Sequence, residues 1–395
     1  MTDCVIVGAG PAGACLALLL ARRGVAVTLV ESQRTPGGRF RGEALMPHGL
    51  EVLAAMGLLP LPREIPQRPL LGWRYAVNGH DWFRLAEPLE PGGGRCCTLI
   101  SQTEFLQHLL NELQTLAPAS VRLEQSAEAL LWDGDRVRGV RLGDGTELAA
   151  RLVVAADGRG SRLRQQAGLE LEHSGSDFEL LWFQLPEADP SPLAGEFVTL
   201  IGEEGICSAF ASARGSVQVG WVQPQRRREG AGWAERLAAQ SPPDLAPWWR
   251  RQAGAFHTPN RLRVQVGHAR RWWRPGLLLL GDAAHPMSPV RAQGINLALR
   301  DTWVAARELA PLLQGPESAQ AMEDALCRIE QQRRPEISTL QRHQAAETAK
   351  GFLLQQQPQL RWLAASSAPW LSQLVARRWR HEQVPLRHGL RAGPG

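Results

Sequence analysis

The chain has no cysteine pair spaced as CxxC: its six cysteines are Cys4, Cys15, Cys96, Cys97, Cys207 and Cys327, two of them adjacent. That pattern argues against a disulfide framework and against a zinc site, and reduced thiols in a cytoplasmic protein are expected. No uninterrupted apolar run reaches the roughly 18 residues of a membrane-spanning helix. A secretory leader is also missing. The first apolar run, Cys4 to Leu20, follows Asp3 instead of a basic segment and is broken by Gly8, Gly10, Pro11 and Gly13, so it reads as a strand and the helix after it. Internal repeats and long low-complexity segments are absent. With 44% apolar and 21% charged residues, the composition gives no reason to expect disorder. At 395 residues the length suggests two or three domains.

An excess of one charge sign is missing from most of the chain. The net charge is +5, yet Lys350, Arg361, Arg377, Arg378, Arg380, Arg387 and Arg391 face only Glu347 and Glu382 from residue 346 onward. The excess therefore belongs to the tail, and general nucleic-acid binding is not expected.

What is present begins at once. Residues 3–7 read as a buried strand, 11–23 as a helix ending at Gly24, and 25–31 as a second strand, together a βαβ unit. A helix is predicted from Pro47 to a stop at Gly57. Ser101 to Glu104 fits a capping box that opens a helix to about Leu116. Short strands with Asp-Gly turns fill 121–156. Alternating and aromatic stretches in 66–99 and 173–266 suggest a second, mostly antiparallel sheet interrupting the first domain. GLLLLGD (276–282) is another buried strand, followed by a long helix from about Gly294. After Glu317 the chain reads as helical, with a kink at Pro335.

Gly8-Ala9-Gly10-Pro11-Ala12-Gly13 is a GxGxxG run with a strand before it and a helix opening inside it. The first glycine permits the tight turn, the second admits a pyrophosphate close to backbone, and the third lets helix and strand pack closely. The helix start offers unpaired N–H groups and a positive dipole end to phosphates. Glu31 ends the second strand, placed to accept hydrogen bonds from an adenosine ribose. This fingerprint indicates a dinucleotide but does not distinguish NAD from FAD.

Four segments resolve that choice. VIVGAGPAG…VTLVE, GRFRGEALMPHGLEVLAAMG (38–57), VVAADGRGSRLR (153–164) and LLGDAAHPMSPVRAQGINLALRD (279–301) resemble the para-hydroxybenzoate hydroxylase type of FAD-dependent aromatic hydroxylase. The resemblance implies that Asp282, after Gly281, bonds the ribityl chain of FAD, and that the loop 289–294 passes the flavin ring. Gly294, Ile295 and Asn296 would then aim a helix start at the pyrimidine edge. It also places Asp157-Gly158 near the pyrophosphate, Arg39 and Arg41 against phosphate with Arg41 the stronger candidate, and Gln102 beside the flavin. His285 is implied to belong to the FAD-loop motif in a packing role. The family usually has glycine where Ala292 stands, and often at Arg291. Ala292 restricts positive φ. Arg291 reads by preference as a solvated loop residue, with a substrate-facing position as the alternative.

The implied fold is a Rossmann-like α/β FAD-binding domain (1–67, 99–172 and 267–315) with an inserted, mostly antiparallel substrate domain (68–98 and 173–266). A helical region follows (316–395). There is no second GxGxxG unit, so NADPH or NADH would visit the flavin transiently. The implied reaction is reduction of FAD, addition of O₂ to form a flavin C4a-hydroperoxide, and oxygen transfer to a small aromatic or apolar substrate, hydroxylating or epoxidising it. Trp182, Phe183, Phe210 and Trp221 are candidate pocket residues, each competing with an ordinary core role. A reductase of the geranylgeranyl-reductase kind and a flavin-loaded sensor stand as alternatives. In the tail, Leu371, Leu374, Val375 and Trp379 recur at helical spacing beside Arg377, Arg378 and Arg380. Packing on the flavin domain is preferred there over peripheral contact with an anionic membrane.

Overall fold

The strand Thr2–Val7 is buried over its last four residues and lies between two parallel neighbours, Val27–Val30 and Glu147–Ala155. A strand covered on both faces needs apolar residues throughout instead of alternation, and CVIV supplies them. The computed structural model describes residues 2–37, 43–117, 119–174, 178–186, 192–193, 195–222 and 232–390. Its first sheet runs Trp273–Arg274, Leu277–Leu279, Glu147–Ala155, Thr2–Val7, Val27–Val30, Ala119–Arg122, parallel except for the first pair. Ala127–Asp133 and Arg136–Leu142 continue antiparallel from Glu147–Ala155 as a meander.

Helix α1 (Pro11–Ala21) is buried from Ala12 to its end, which explains why its sequence is apolar all round. Its four leucines contribute about 1.5–3 kcal/mol each by leaving water, as an upper estimate. Helix α2 (Pro47–Ala55) opens on its proline and is followed by Gly57 at φ 69°. Helix α3 (Gln102–Thr115) starts where the Ser101 signal placed it, but no capping box forms. The Ser101 hydroxyl donates to the Glu104 carboxylate, which also pairs with Arg214 of the inserted sheet. Helix α4 (Arg162–Gln166) is short and is capped by Ser161.

The inserted sheet has seven strands in the order Asn260–Val264, Phe178–Leu185, Val217–Val222, Gly205–Ala211, Glu196–Gly202, Gly72–Val77, His80–Ala86. One pair, Glu196–Gly202 with Gly72–Val77, is parallel. Side chains alternate between two different environments. Leu181, Phe183 and Trp221 face helices α5 (Trp233–Ala239) and α6 (Ala246–Arg251), with Trp248 and Trp249 buried among them. Trp73, Tyr75, Phe83, Trp182 and Phe210 face the other way.

Three long helices complete the chain: α7 (Gln293–Gln314), α8 (Ala319–Gln356) and α9 (Pro358–His388). Pro335, the position of the expected kink, lies inside α8, which continues through it. Trp379 and Ala376 of α9 pack onto the aromatic face of the inserted sheet. The four tail residues grouped by spacing therefore divide: Trp379 is buried and Val375 partly buried, while Leu371 and Leu374 are exposed. Among the described residues no helix is long and apolar enough to cross a membrane.

Where α7, α8 and α9 meet, the core is ionic. Arg333 donates to Asp301 at 2.7 Å and also pairs with Glu336, while Asp301 meets His285 Nε2 at 2.5 Å and Arg300 meets Glu336 at 3.1 Å. Burial alone would raise the Asp301 carboxyl, but His285 and Arg333 outweigh it and hold it below the usual range. The end of α9 is tied in by its backbone. Gln293 donates to the Leu386 carbonyl at 2.7 Å, and His48 Nδ1 meets the Arg387 carbonyl at the same distance.

That His48 contact makes a prediction. A carbonyl partner requires a proton on Nδ1, and burial pushes the imidazole down to about 4. The folded value lies below the unfolded one, so the neutral ring stabilises the fold above pH 6.5, and this contribution is lost as the pH falls through about 4. We expect about 3 kcal/mol of acid sensitivity from this ring. Denaturant unfolding at pH 7 and 4.5 should show a smaller pH difference in His48→Gln than in the parent. Equal differences would refute the assignment.

Candidate active site

The glycine-rich turn closes without room for side chains. Gly8 sits at φ 102° and donates to the Val30 carbonyl at 2.8 Å. A Cβ at Gly13 would lie 1.9 Å from the Gly8 carbonyl oxygen, and one at Gly8 would lie 2.3 Å from the Ala156 oxygen. Glu31 braces the turn by accepting from the Ala9 N–H at 2.7 Å and the Gln33 N–H at 2.8 Å. The Ser32 hydroxyl donates to it as well, at 3.1 Å; a carboxylate has about four acceptor sites, so capacity remains for a sugar hydroxyl. The N-cap residue of α1 is Gly10, which carries no side chain to occupy the first N–H groups and leaves them open to an anion.

Beside this turn opens a cavity of about 950 Å³. Gly10, Ala12, Gln102, Asp157, Asp282, Gly294 and Ile295 line it, bringing together seven residues singled out from the sequence. Gly8, Gly13 and Gly281 lie behind the wall and shape it. A Cβ at Gly281 would stand 3.1 Å from that of Ala12, so this glycine lets the Gly-Asp turn approach α1. Asn296 differs from expectation: its amide bonds the Met46 N–H and the Ala44 and Ala292 carbonyls, locking the loop instead of lining the cavity. Arg39 and Arg41 lie outside the described residues.

Several cavity-wall atoms are buried and have no partner among the described residues: Gln102 Oε1, Asp157 Oδ1, Arg159 Nη1 and Glu43 Oε2. Buried polar atoms are rarely left unpaired, and here acceptors and a guanidinium donor converge beside an open helix start. A ligand carrying hydroxyls and phosphates would satisfy them, which is the chemistry of a flavin dinucleotide. Residues 156–159 and 282 would hold the ribityl–pyrophosphate portion, and the start of α7 would meet the ring. Asp282 is paired with Arg159 at 3.0 Å. Neither Arg159 nor Glu43 was singled out from the sequence. Burial pushes the Glu43 carboxyl up to about 7, against the opposing pull of the Ala213 N–H and the Arg214 charge. It can therefore exchange a proton near neutral pH.

The loop entering α7 keeps the left-handed backbone that glycine would favour, but without glycine: Arg291 has φ 59° and Ala292 φ 48°. Each costs about 1–2 kcal/mol in an L-residue. The expectation of a solvated arginine at 291 is overturned. Its guanidinium is buried, pairs with Glu347 of α8, and lies 5.0 Å from the Trp73 ring, 5.5 Å from Tyr75 and 4.9 Å from Trp379. Ion-pairing and cation–π contact offset its desolvation.

Trp182 and Phe210 line the cavity, the former donating to Gln218 at 2.7 Å and the latter stacked 5.4 Å from Phe197. Trp221 does not. It pairs in register with Leu181, one residue out of phase with Trp182, and so points to the α5–α6 side. There it packs against Trp233 and donates to the Glu204 carbonyl. Phe183 shares that side. Gly220, opposite Trp182, leaves space for its ring: a Cβ there would be 2.7 Å away. His285 has the expected packing role, buried against Trp272 and bonded to Asp301.

The sequence reading also missed the C-terminal contribution. Glu347, Lys350, Val375, Trp379 and Glu382 line the cavity from α8 and α9. Composition offered one signal: the chain's single tyrosine, Tyr75, and its single lysine, Lys350, are both on this wall.

Fold and site together define a flavin-dinucleotide oxidoreductase whose cavity lies beneath an inserted sheet. Comparison with known proteins agrees. Residues 1–343 match the family described as FAD binding domain, and the chain belongs to that family, the flavoprotein monooxygenases of the para-hydroxybenzoate hydroxylase type. FAD is its cofactor. The chain is 34% identical to 6-methylpretetramide 4-monooxygenase of Streptomyces rimosus over 88% of its own length and 84% of that protein's. It is 27% identical to rifampicin monooxygenase of Streptomyces venezuelae over 80% and 65%. The crystal structure of P. aeruginosa PqsL with 2-aminobenzoylacetate superposes with TM-score 0.79 at 22% identity, covering 91% of this chain and 98% of that one.

Proposed function

We propose that this protein is an NAD(P)H-dependent monooxygenase that hydroxylates an aromatic substrate larger than a single phenolic ring. The observation that carries the reading is one continuous cavity. It is walled on one side by the dinucleotide-binding loops and on the other by the aromatic face of the inserted sheet. The cavity, about 950 Å³, must take the reactive end of FAD as well as the substrate, and it is the breadth of its aromatic wall, Trp73, Trp182, Phe197 and Phe210, that favours a ligand of more than one ring. The names of the relatives, both monooxygenases, support oxygen transfer over the reductase alternative.

Bound FAD supplies the redox chemistry, accepting electrons from the nicotinamide and activating O₂. The chain's residues do the rest. Phe197, Phe210, Trp182 and Trp73 offer flat apolar walls to a planar ring system and keep water from it. Arg291, held among Trp73, Tyr75 and Trp379, presents a cation to an acidic hydroxyl or carbonyl oxygen of the substrate. The Glu43 carboxyl, pushed up to about 7 by burial, lines the same cavity and can pass a proton to or from a ligand oxygen. Residue pairs such as Gly220–Trp182 fix where the ring plane lies.

The test is NADPH oxidation and O₂ consumption by the FAD-loaded protein with a hydroxylated polycyclic aromatic and with a simple phenol. We expect stimulation by the polycyclic compound and one atom of ¹⁸O in the product. Stimulation by neither, or a product without label from O₂, would defeat the proposal.

A further inference from the structure

Helix α9 has two faces with different tasks. Its inner face carries Val375, Trp379 and Glu382 into the cavity wall. Among the described residues nothing covers its outer face, although much of it is apolar. Among the described residues, Trp362 is 67% exposed, Leu363 55%, Trp370 87%, Leu371 46% and Leu374 66%, and Leu353 at the end of α8 adds 52%. Most of the molecule's exposed large apolar side chains thus lie on one stripe. Single exposed leucines are ordinary, whereas a contiguous patch marks a docking surface.

The charge pattern identifies what docks. Between Glu347 and Glu382 the sequence contains no acidic residue, while Arg377, Arg378 and Arg380 follow directly on the apolar stripe. Arg377 is exposed one turn from Leu374, while Arg378, also exposed, pairs with Glu382 at 3.2 Å at the rim of the cavity. Tryptophans beside leucines, continued by arginines on a helix that lies flat on its domain, are the composition of an interfacial helix. No described helix is apolar enough to cross a bilayer, so the contact is with its surface.

We propose that the outer face of α9 docks on an anionic lipid surface, with Trp362, Leu363, Trp370, Leu371 and Leu374 entering the headgroup region and Arg377 meeting lipid phosphates. The helix that binds lipid would then also be a wall of the substrate chamber, one helix diameter away. This places the aromatic cavity beside a reservoir of apolar compounds. The proposal does not depend on which aromatic compound is hydroxylated.

The test uses the full-length FAD-loaded protein with vesicles of phosphatidylcholine containing a quarter phosphatidylglycerol, with pure phosphatidylcholine vesicles as comparison. We expect co-sedimentation with the mixed vesicles, at least tenfold weaker on pure phosphatidylcholine and in high salt. Trp370→Ser combined with Leu374→Ser should reduce binding at least tenfold, and Arg377→Gln severalfold, with flavin content and melting temperature unchanged. Absence of binding to either vesicle would overturn the proposal. So would equal binding to both, or a concentration-dependent dimer abolished by the double substitution, which would assign the stripe to a second copy of the chain.

Discussion

Gly13→Val is expected to yield protein without bound flavin. The glycine Cα faces the Gly8 carbonyl so closely that a Cβ would sit 1.9 Å from its oxygen, and that neighbour is backbone and cannot rotate away. The turn must open, moving the α1 start relative to Glu31 and disrupting the Ala9 bond that holds it. Overpacking of this kind costs about 3 kcal/mol or more, a loss of at least roughly a hundredfold in FAD affinity. The absorbance spectrum of the purified variant, with the FAD:protein ratio after denaturation, measures it. A variant that retains full yellow colour and stoichiometric FAD would show that the dinucleotide does not rest on this turn.

Arg333→Met should have the largest effect on stability. Arg333 is fully buried, bonding Asp301 and Glu336, both also buried. Removing the cation leaves Asp301 to His285 alone and Glu336 to Arg300. Breaking a buried pair in this way costs about 3–5 kcal/mol, because the surviving carboxylates stay desolvated. The melting temperature should fall by about 4–6 °C, and Arg333→Lys should recover part of that. A melting curve unchanged in Arg333→Met would mean that the network is solvated in solution.

Much of the nucleotide half is legible in the sequence because its determinants are local. A buried strand, a glycine turn and an all-apolar helix occupy consecutive residues, and Glu31 needs only the next strand to place it. The 279–301 segment is similar: Asp282, Gly294 and Ile295 reach the cavity as a single run. The substrate half is less legible. Alternation in SVQVGWV reveals two faces but not which one α5 and α6 will cover, so Trp182 and Trp221 look equivalent until Leu181 pairs with Trp221. Arg291 is misread for a related reason. Exposure is the default for an arginine, and the aromatic box that overrides it is assembled from Trp73, Tyr75 and Trp379, far apart in the chain. Spacing in the tail shows an amphipathic helix, but not that Trp379 would turn towards the sheet while Leu374 stayed outside.

The tether between Gln293 and the Leu386 carbonyl spans 93 positions, and His48 is bonded to the next carbonyl along, that of Arg387. During synthesis the glycine turn and its sheet can assemble once residues 2–156 have left the ribosome, while the ring side lacks its buttress until the last turn of α9 emerges. Cofactor loading then becomes a checkpoint on complete translation: a chain interrupted within the final helix would keep its glycine turn yet lack the contacts that seat the start of α7.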